Sequence, residues 1–333
     1  MTHAANRSRS LGMLRDQLGV VVVLVILVAA VGIAQPNFLR TSNLLSTVQG
    51  SVYVGLMAAG MVFALAMREV DLSVGGTYAL TVVVGAVLIR DGFSPWVAML
   101  VILALAALLG AGNGVVTTYL QLPSFIVTLA SSLLFRGVAL AMANGKQISG
   151  LPQDHPFFAV LGGNVAGVPA SIWILLIATV VLAVLFAKTR FGARVRAVGS
   201  NPDAARFSGL PIARTRILAL GLSGLMAGVA GVLGLAFYTA GDPTIGGGYE
   251  LTAIAACIIG GTPLAGGRGS VPGAVIGNLI LSTVAASLVF FQVPINWTTF
   301  ATGAVILIAV AFDSVLRRRG FSWFRRQNSG RTE

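Results

Sequence analysis

Long apolar runs punctuated by short polar stretches repeat along the chain. A helix needs about 20 mostly apolar residues to cross a hydrocarbon core roughly 30 Å thick. On that scale the pattern predicts membrane-spanning helices over 18–34, 44–67, 74–89, 96–118, 123–143, 171–187, 215–238, 251–262, 273–291 and 297–315. The runs at 74–89 and 251–262 are short and glycine-flanked, so either could be a half-helix or a re-entrant segment instead of the full span counted here. The expected fold class is therefore all-α: a polytopic membrane protein with about ten transmembrane helices, some short or broken. Residues 1–17 form an N-terminal segment, 18–316 the transmembrane domain, and 317–333 a tail.

The polar stretches supply an orientation. Arg7, Arg9 and Arg15 precede the first apolar run; Lys188, Arg190, Arg194, Arg196, Arg206, Arg214 and Arg216 occupy the stretch 188–216; Arg317, Arg318, Arg319, Arg325, Arg326 and Arg331 fill the tail. These clusters hold sixteen of the 22 Lys and Arg residues. With the N-terminus inside, six crossings bring 188–216 inside and ten bring the tail inside, so all three clusters share the cytoplasmic face, as basic residues tend to. On the opposite face lie the polar turn 35–43 and the long connection 144–170, with Pro152, Asp154, His155, Pro156 and Pro169, a composition that ends helices and suits either docking or simple joining. A basic start before an apolar run also resembles a signal peptide, but the run 18–34 is long for that role and an uncleaved first helix is expected.

Composition agrees with the pattern. The chain is 56% hydrophobic and 10% charged, where a soluble domain carries about 25% charge, so a water-facing surface cannot be built from it. The net charge of +12 is explained by the cytoplasmic clusters, and nucleic acid is not an expected partner. The single cysteine, Cys257, sits in an apolar run and reads as a small packing residue.

Four stretches depart from the Ala/Val/Leu/Gly background. In REVDLSVGG, 68–76, the ionisable Arg68, Glu69 and Asp71 lie between two apolar runs. Asp71 or Ser73 capping the next helix, with Arg68 reaching the headgroups or pairing locally, competes there with direct substrate contact. In 188–210, Arg190, Arg194 and Arg196 precede a turn, and Pro202 and Asp203 suit the first turn of a short helix through Ala204, Ala205, Arg206 and Phe207. That is a rigid docking element, or else a basic loop held near anionic membrane lipid. In 248–278, Gly260, Gly261, Gly266, Gly267, Gly269, Gly273 and Gly277 permit close helix contact or broken helices. In 123–137, Ser124, Thr128, Ser131 and Ser132 precede Arg136; such hydroxyls line a pore or bond to neighbouring helices.

Enzyme chemistry finds no support. The only histidines are His3 and His155, and neither HExxH, CxxC nor GxSxG occurs, so no catalytic or metal-binding residues are expected. The only lysines, Lys146 and Lys188, do not complete a phosphate-cradling GxxxxGK[ST] loop, so no cofactor is expected and any ATP chemistry belongs to another polypeptide.

Taken together, PNFLRTSN from residue 36, VDLSVGG, PSFIVTLA with Arg136 and Gly137, FGARVRAVGSNPDAARFSG, and YELTAIAACIIGG with GGRGSVPGAVIG resemble the permease subunits of ribose-type monosaccharide ABC importers, within the branched-chain amino acid/sugar permease superfamily. The resemblance covers nearly the whole chain. It implies a permease domain in the bacterial inner membrane with both termini cytoplasmic, paired with a second permease, identical or paralogous. It further implies a separate cytoplasmic ATPase that binds the ATP and a periplasmic or lipid-anchored sugar-binding protein. On this resemblance 188–216 is the cytoplasmic coupling segment, with Arg190, Gly192, Arg194, Asn201, Asp203, Ala204, Ala205 and Arg206 meeting the ATPase. Asp71, Ser73, Thr128, Gly260, Gly261, Gly266 and Gly267 would lie near the pathway. One departure is Glu69-Val70, where the family usually has Gly-Ile before Asp-Leu-Ser-Val. Related permeases for nucleosides or branched-chain amino acids are the nearest alternative; an ion-coupled secondary transporter is disfavoured by the scarcity of membrane carboxylates beyond Glu69, Asp71 and Glu250.

Overall fold

The computed structural model describes the backbone from Thr2 through residue 294 and the positions 297, 300, 301, 303, 304 and 307, with side chains from Leu18 onward. The side chains of the basic residues in the first segment, the predicted span 297–315 apart from those positions, and the tail lie outside what is described.

The order is α1 (Thr2–Ala34), a 3-10 turn (Pro36–Leu39), α2 (Thr41–Ala66), α3 (Val74–Arg90), α4 (Pro95–Tyr119), α5 (Ser124–Met142), α6 (Pro156–Gly162), β1 (Asn164–Val165), β2 (Val168–Pro169), α7 (Ala170–Lys188), α8 (Arg190–Ser200), α9 (Pro202–Phe207), α10 (Ile212–Tyr238), α11 (Tyr249–Ile259) and α12 (Val271–Phe290). Six of these, α2, α4, α5, α7, α10 and α12, are long and apolar enough to cross a membrane. The chain is thus a helical, multi-pass membrane protein, and among the described residues its one strand pair is the antiparallel β1–β2 hairpin. Two additions to the sequence reading stand out: residues 190–200 form a helix, where only a basic run before a turn was expected, and α6 sits inside the 144–170 connection.

A helix that is apolar on every side must be surrounded by protein or lipid. For α2 it is protein: every residue from Ser51 to Ala66 is buried, with α10, α12, α11 and α7 packed around it. The outer helices α4, α5 and α7 instead expose residues such as Leu108, Leu133 and Val180, as lipid contact requires. Because lipid tails are as apolar as leucine, helices here associate through close backbone approach at small residues. At the α4–α10 crossing a Cβ on Gly110 would lie 2.4 Å from the Leu220 carbonyl, and one on Gly224 2.5 Å from the Ala106 carbonyl. The α11–α12 contact is built likewise, since a Cβ on Gly277 would come within 2.3 Å of the Ala256 carbonyl.

Two of the irregular stretches between helices position the site. One is 67–73, between α2 and α3. The other is 239–248, which leads into α11, a helix of only 11 residues, about 16 Å long and half the hydrocarbon thickness. Gly241 pairs with Ile148 in the 144–170 connection at one end, while beyond α11 the Gly267 amide donates to the Ala66 carbonyl at 2.8 Å near α8. Residues 239–259 are therefore an irregular stretch followed by a short helix, packed between these two points. The predicted run 251–262 is a helix over Tyr249–Ile259.

The α4–α10 crossing should tolerate no added methyl. Gly224→Ala forces the backbones apart, an overpacking cost of about 1–3 kcal/mol, whereas Gly112→Ala meets nothing within 4 Å and gains helix propensity of roughly 1 kcal/mol. The midpoint of thermal aggregation in detergent should fall for Gly224→Ala and hold or rise for Gly112→Ala.

Candidate functional site

The helix α2 stops where Arg68 takes a left-handed backbone, φ 68°. From that turn its guanidinium reaches across to α8: Nε donates to the Gly199 carbonyl at 2.7 Å and Nη2 to the Ser200 carbonyl at 2.9 Å. Carbonyls at a helix C-terminus lack intrahelical donors and carry partial negative charge, so a guanidinium suits them doubly. The fit depends on missing side chains. A Cβ on Gly199 would sit 1.7 Å from the Ala66 carbonyl, and one on Gly266 would sit 2.5 Å from Arg68 Cγ. Gly266 and Gly267 themselves turn with φ 73° and 80°. Three stretches singled out separately in the sequence thus meet at one junction. Arg68 bonds to α8 and not to its neighbour Glu69, which instead holds Arg216 at the foot of α10, Oε1 to Nε 2.6 Å.

The segment after Arg68 is irregular backbone among packed helices, and its polar groups need partners inside the protein. α5 and α4 provide them. The Val70 amide donates to Ser124 Oγ and the Leu72 amide to Thr128 Oγ1, both at 3.0 Å, while Thr128 Oγ1 also contacts the Val70 carbonyl at 3.1 Å. Asp71 Oδ1 accepts from the Ser73 amide at 3.0 Å and the Ser73 hydroxyl at 2.6 Å, closing a tight turn. Ser73 Oγ in turn accepts from Asn113 Nδ2 at 2.9 Å, and Asn113 Oδ1 accepts from Ser131 at 2.6 Å. Asp71, Ser73 and Thr128 are fully buried. The expected capping of α3 by Asp71 or Ser73 is absent: Ser73 occupies the cap position without a side-chain bond to the helix.

Gly260 ends α11 and abuts α12, where a Cβ would lie 2.2 Å from Gly273 C, and Gly261 turns the chain with φ 88°. Cys257 is buried beside α2, its thiol 3.2 Å from the Ala58 carbonyl.

At the other irregular segment Arg136 plays the matching part. Its Nη1 and Nη2 donate to the carbonyls of Ile245 and Gly246 at 3.2 and 2.9 Å, and Nη2 lies 4.0 Å from Glu250 Oε2 at the start of α11. Twelve residues into α5, one of the helices long and apolar enough to cross a membrane, Arg136 stands about 18 Å along it. The pair is 22% and 19% exposed, and a charge pair along such a helix is costly enough to mark a polar surface rather than a lipid-facing one. Next to it runs a row of aromatic rings. Tyr238 and Tyr53 have centroids 5.9 Å apart, Tyr53 and Tyr78 6.0 Å, Tyr78 and Tyr249 5.7 Å. These are four of the chain's five tyrosines. Sequence reading noted Arg136 and Glu250 singly and the tyrosines not at all.

On the remaining face α8 and α9 form a hinged pair. Thr189 Oγ1 accepts from the Gly192 amide at 3.2 Å and Asn201 Oδ1 from the Ala204 amide at 3.0 Å, so each helix begins with a side-chain cap. Gly192, Val195, Val198, Gly199 and Ala205 face inward. Arg196 donates to the Phe186 carbonyl and lies over the Phe186 ring at 5.2 Å, and burial lowers its guanidinium below the usual arginine value. Arg194 is half-buried, while Arg190, Asp203, Ala204 and Arg206 are exposed, and Phe207 projects with 91% of its surface free.

Known proteins resemble this arrangement along most of its length. Residues 43–310 match the family described as the branched-chain amino acid transport system permease component. The ribose import permease protein of Escherichia coli (strain K12) is 36% identical over 295 residues, covering 88% of this chain and 92% of that protein. The L-arabinose transport system permease protein of the same strain is 36% identical over 310 residues, covering 93% and 94%. Its xylose transport system permease protein is 34% identical, covering 85% and 87%. Among solved structures, a chain described as a metal-chelate type ABC transporter in an inward-facing conformation shares the fold, with a TM-score of 0.51 at 16% identity over 89% of this chain and 99% of that one. By sequence along most of its length, the chain belongs to the branched-chain amino acid transport system permease component family.

Proposed function

We propose that this chain is the membrane-embedded permease subunit of an ATP-driven importer that carries a monosaccharide, ribose-like or another simple sugar, across the bacterial inner membrane. The observation that carries the reading is the Arg68 junction, where the C-terminal carbonyls of α8 are bonded to the start of the α2–α3 break. The relatives named for ribose, arabinose and xylose support the sugar class.

On this reading the exposed face of α8 and α9 meets the ATPase on the cytoplasmic side, where Phe207 seats in a pocket and Arg190, Arg194, Asp203 and Arg206 give orientation. A projecting aromatic beside arginines is the composition of an interface hot spot. Motion of α8 then acts on Arg68, and through it on a segment held by side-chain bonds rather than by a helical ladder, a two-position element of the kind that coupling requires. Asp71, Ser73, Thr128, Gly260, Gly261, Gly266 and Gly267 serve as parts of this transmission, flanking the pathway. The permease does no chemistry of its own; ATP is bound and hydrolysed by the partner. A second permease completes the translocating core, a sugar-binding protein docks on the face of the 144–170 connection, and both termini are cytoplasmic.

Two outcomes are expected. In proteoliposomes containing this chain, its ATPase and its sugar-binding protein, radiolabelled pentoses or hexoses should accumulate only with ATP. Phe207→Ala should weaken ATPase association by about 2 kcal/mol, roughly 30-fold; equal co-purification and uptake would sink the docking assignment, and uptake of amino acids or nucleosides alone would move the chain to a sister branch. Separately, Arg68→Gln should leave the ATPase bound but reduce uptake about tenfold or more, since two carbonyls lose charged donors worth about 1.5–3 kcal/mol each, read as sugar moved per ATP hydrolysed. An unchanged ratio would remove Arg68 from the coupling route.

A further inference from the structure

Between the first turns of α2, the last turn of α10 and the β1–β2 hairpin lies a cavity of about 420 Å³, within the range of roughly 300–1,000 Å³ typical of small-molecule sites. We propose that it is a binding site for a neutral polyhydroxylated solute, where a simple sugar is held as it enters the permease; this rests on the sugar-importer reading and names a site for it.

The first argument is the polarity of the wall. Ser42, Ser46, Gln49, Tyr53, Asn164 and Tyr238 line it, and none of the lining residues is charged. Ser42, Ser46 and Gly50 recur every four residues and so share one exposed stripe of α2. Elsewhere the outer helices expose Leu, Val and Ile, so a stripe of hydroxyls and glycine is a surface made for something other than lipid.

The second argument is that the polar groups are already aimed. Gln49 is 5% exposed; the Ser171 hydroxyl donates to its Oε1, and its Nε2 donates to the Tyr53 hydroxyl at 3.2 Å. A carboxamide has two N–H donors and two acceptor lone pairs, so one of each is left to orient a ligand hydroxyl. Tyr53 is itself held by its ring contacts with Tyr78 and Tyr238, so the amide and the phenol form a fixed pair at the floor of the cavity.

The third argument fixes the ligand class. Tyr238, 47% exposed, and Phe237 meet edge to face at 5.1 Å and offer apolar rings to the C–H face of a sugar while hydroxyls stand around them, the amphipathic surface that tyrosine supplies. An amino acid would bring an ammonium and a carboxylate to a wall without a counter-charge, and an unpaired charge in such a site is expensive. The row from Tyr238 through Tyr53 and Tyr78 to Tyr249 continues the same chemistry inward, toward the Arg136–Glu250 pair.

The test uses the assembled transporter in proteoliposomes with two readouts: sugar uptake across a pentose and hexose panel, and ATP hydrolysis stimulated by the loaded binding protein. Gln49→Leu should lower uptake about tenfold, the scale of one lost hydrogen bond with its partner left unpaired, and alter the ranking of sugars, while stimulated hydrolysis stays within about twofold of wild type. Ser46→Leu fills the cavity from an exposed position and should block uptake in the same way, so it decides the matter if Gln49→Leu fails to assemble. Tyr238→Phe, which keeps the ring, should retain most of the uptake. Wild-type rates and ranking in both leucine variants would overturn the site. A wild-type assembly that moves a charged amino acid and no sugar would overturn the sugar reading first and the ligand class with it.

Discussion

In hydrocarbon a backbone amide or carbonyl that finds no partner inside the protein has no water to fall back on, and leaving one unpaired costs several kcal/mol. Helices meet this demand by themselves, so the demand falls on stretches where the ladder stops, 67–73 and 239–248 among them. Both solutions have the same form. One arginine spans a pair of consecutive carbonyls, Gly199 and Ser200 for Arg68, Ile245 and Gly246 for Arg136. At the first break, short hydroxyl side chains on α5 serve the amides. The shape of each break is therefore dictated by neighbouring helices: α5 can serve Val70 and Leu72 only while α3, α4 and α5 keep their register.

That register is set by glycine. Gly76 lets α3 approach the Ser132 carbonyl of α5, Gly110 and Gly224 bring α4 onto α10, and Gly199 lets the end of α8 meet the end of α2. None of these contacts involves a long side chain that could swing aside. Sites of this kind pass displacement as rigid contacts do, while packed polar bonds at the breaks have discrete alternatives. The two properties complement each other: on the proposed coupling role, glycine contacts would carry a shift of α8 inward, and the breaks would take it up.

Much of the architecture was legible in the sequence because hydropathy and helix punctuation are local signals. From α2 to α12 the predicted spans begin and end within a few residues of the observed helices, though α1 starts well before its apolar run, and Pro202-Asp203 announced α9 as a helix of the right extent. What stayed hidden depends on residues far apart. Arg68 finds carbonyls more than 130 positions away, Glu69 finds Arg216, and Arg136 finds Glu250; no periodicity announces such pairs. Local rules also misled in one place, since Asp-Leu-Ser before an apolar run reads as a helix cap, yet Asp71 turns back on Ser73 while Ser73 bonds to Asn113 on another helix. The tyrosine row was invisible for the same reason, each ring looking like an ordinary core or interfacial aromatic until the fold placed four of them in sequence.

The position of the breaks also says which parts can move. α2 and α10 are enclosed by other helices over most of their length, so tilting either would open voids along every contact, and close-packed interiors resist that. The helix α11 and the start of α3 are different. Each is short, each begins at an irregular segment, and the Arg136–Glu250 pair joins them where a Cβ on Gly75 would lie 2.1 Å from Glu250 Oε2. A rearrangement there exchanges a few side-chain bonds and leaves the helical ladders intact. The elements that connect the α8 face to the tyrosine row are thus the ones whose geometry costs least to change, and a membrane protein that must open toward one side at a time would have to place its moving parts there.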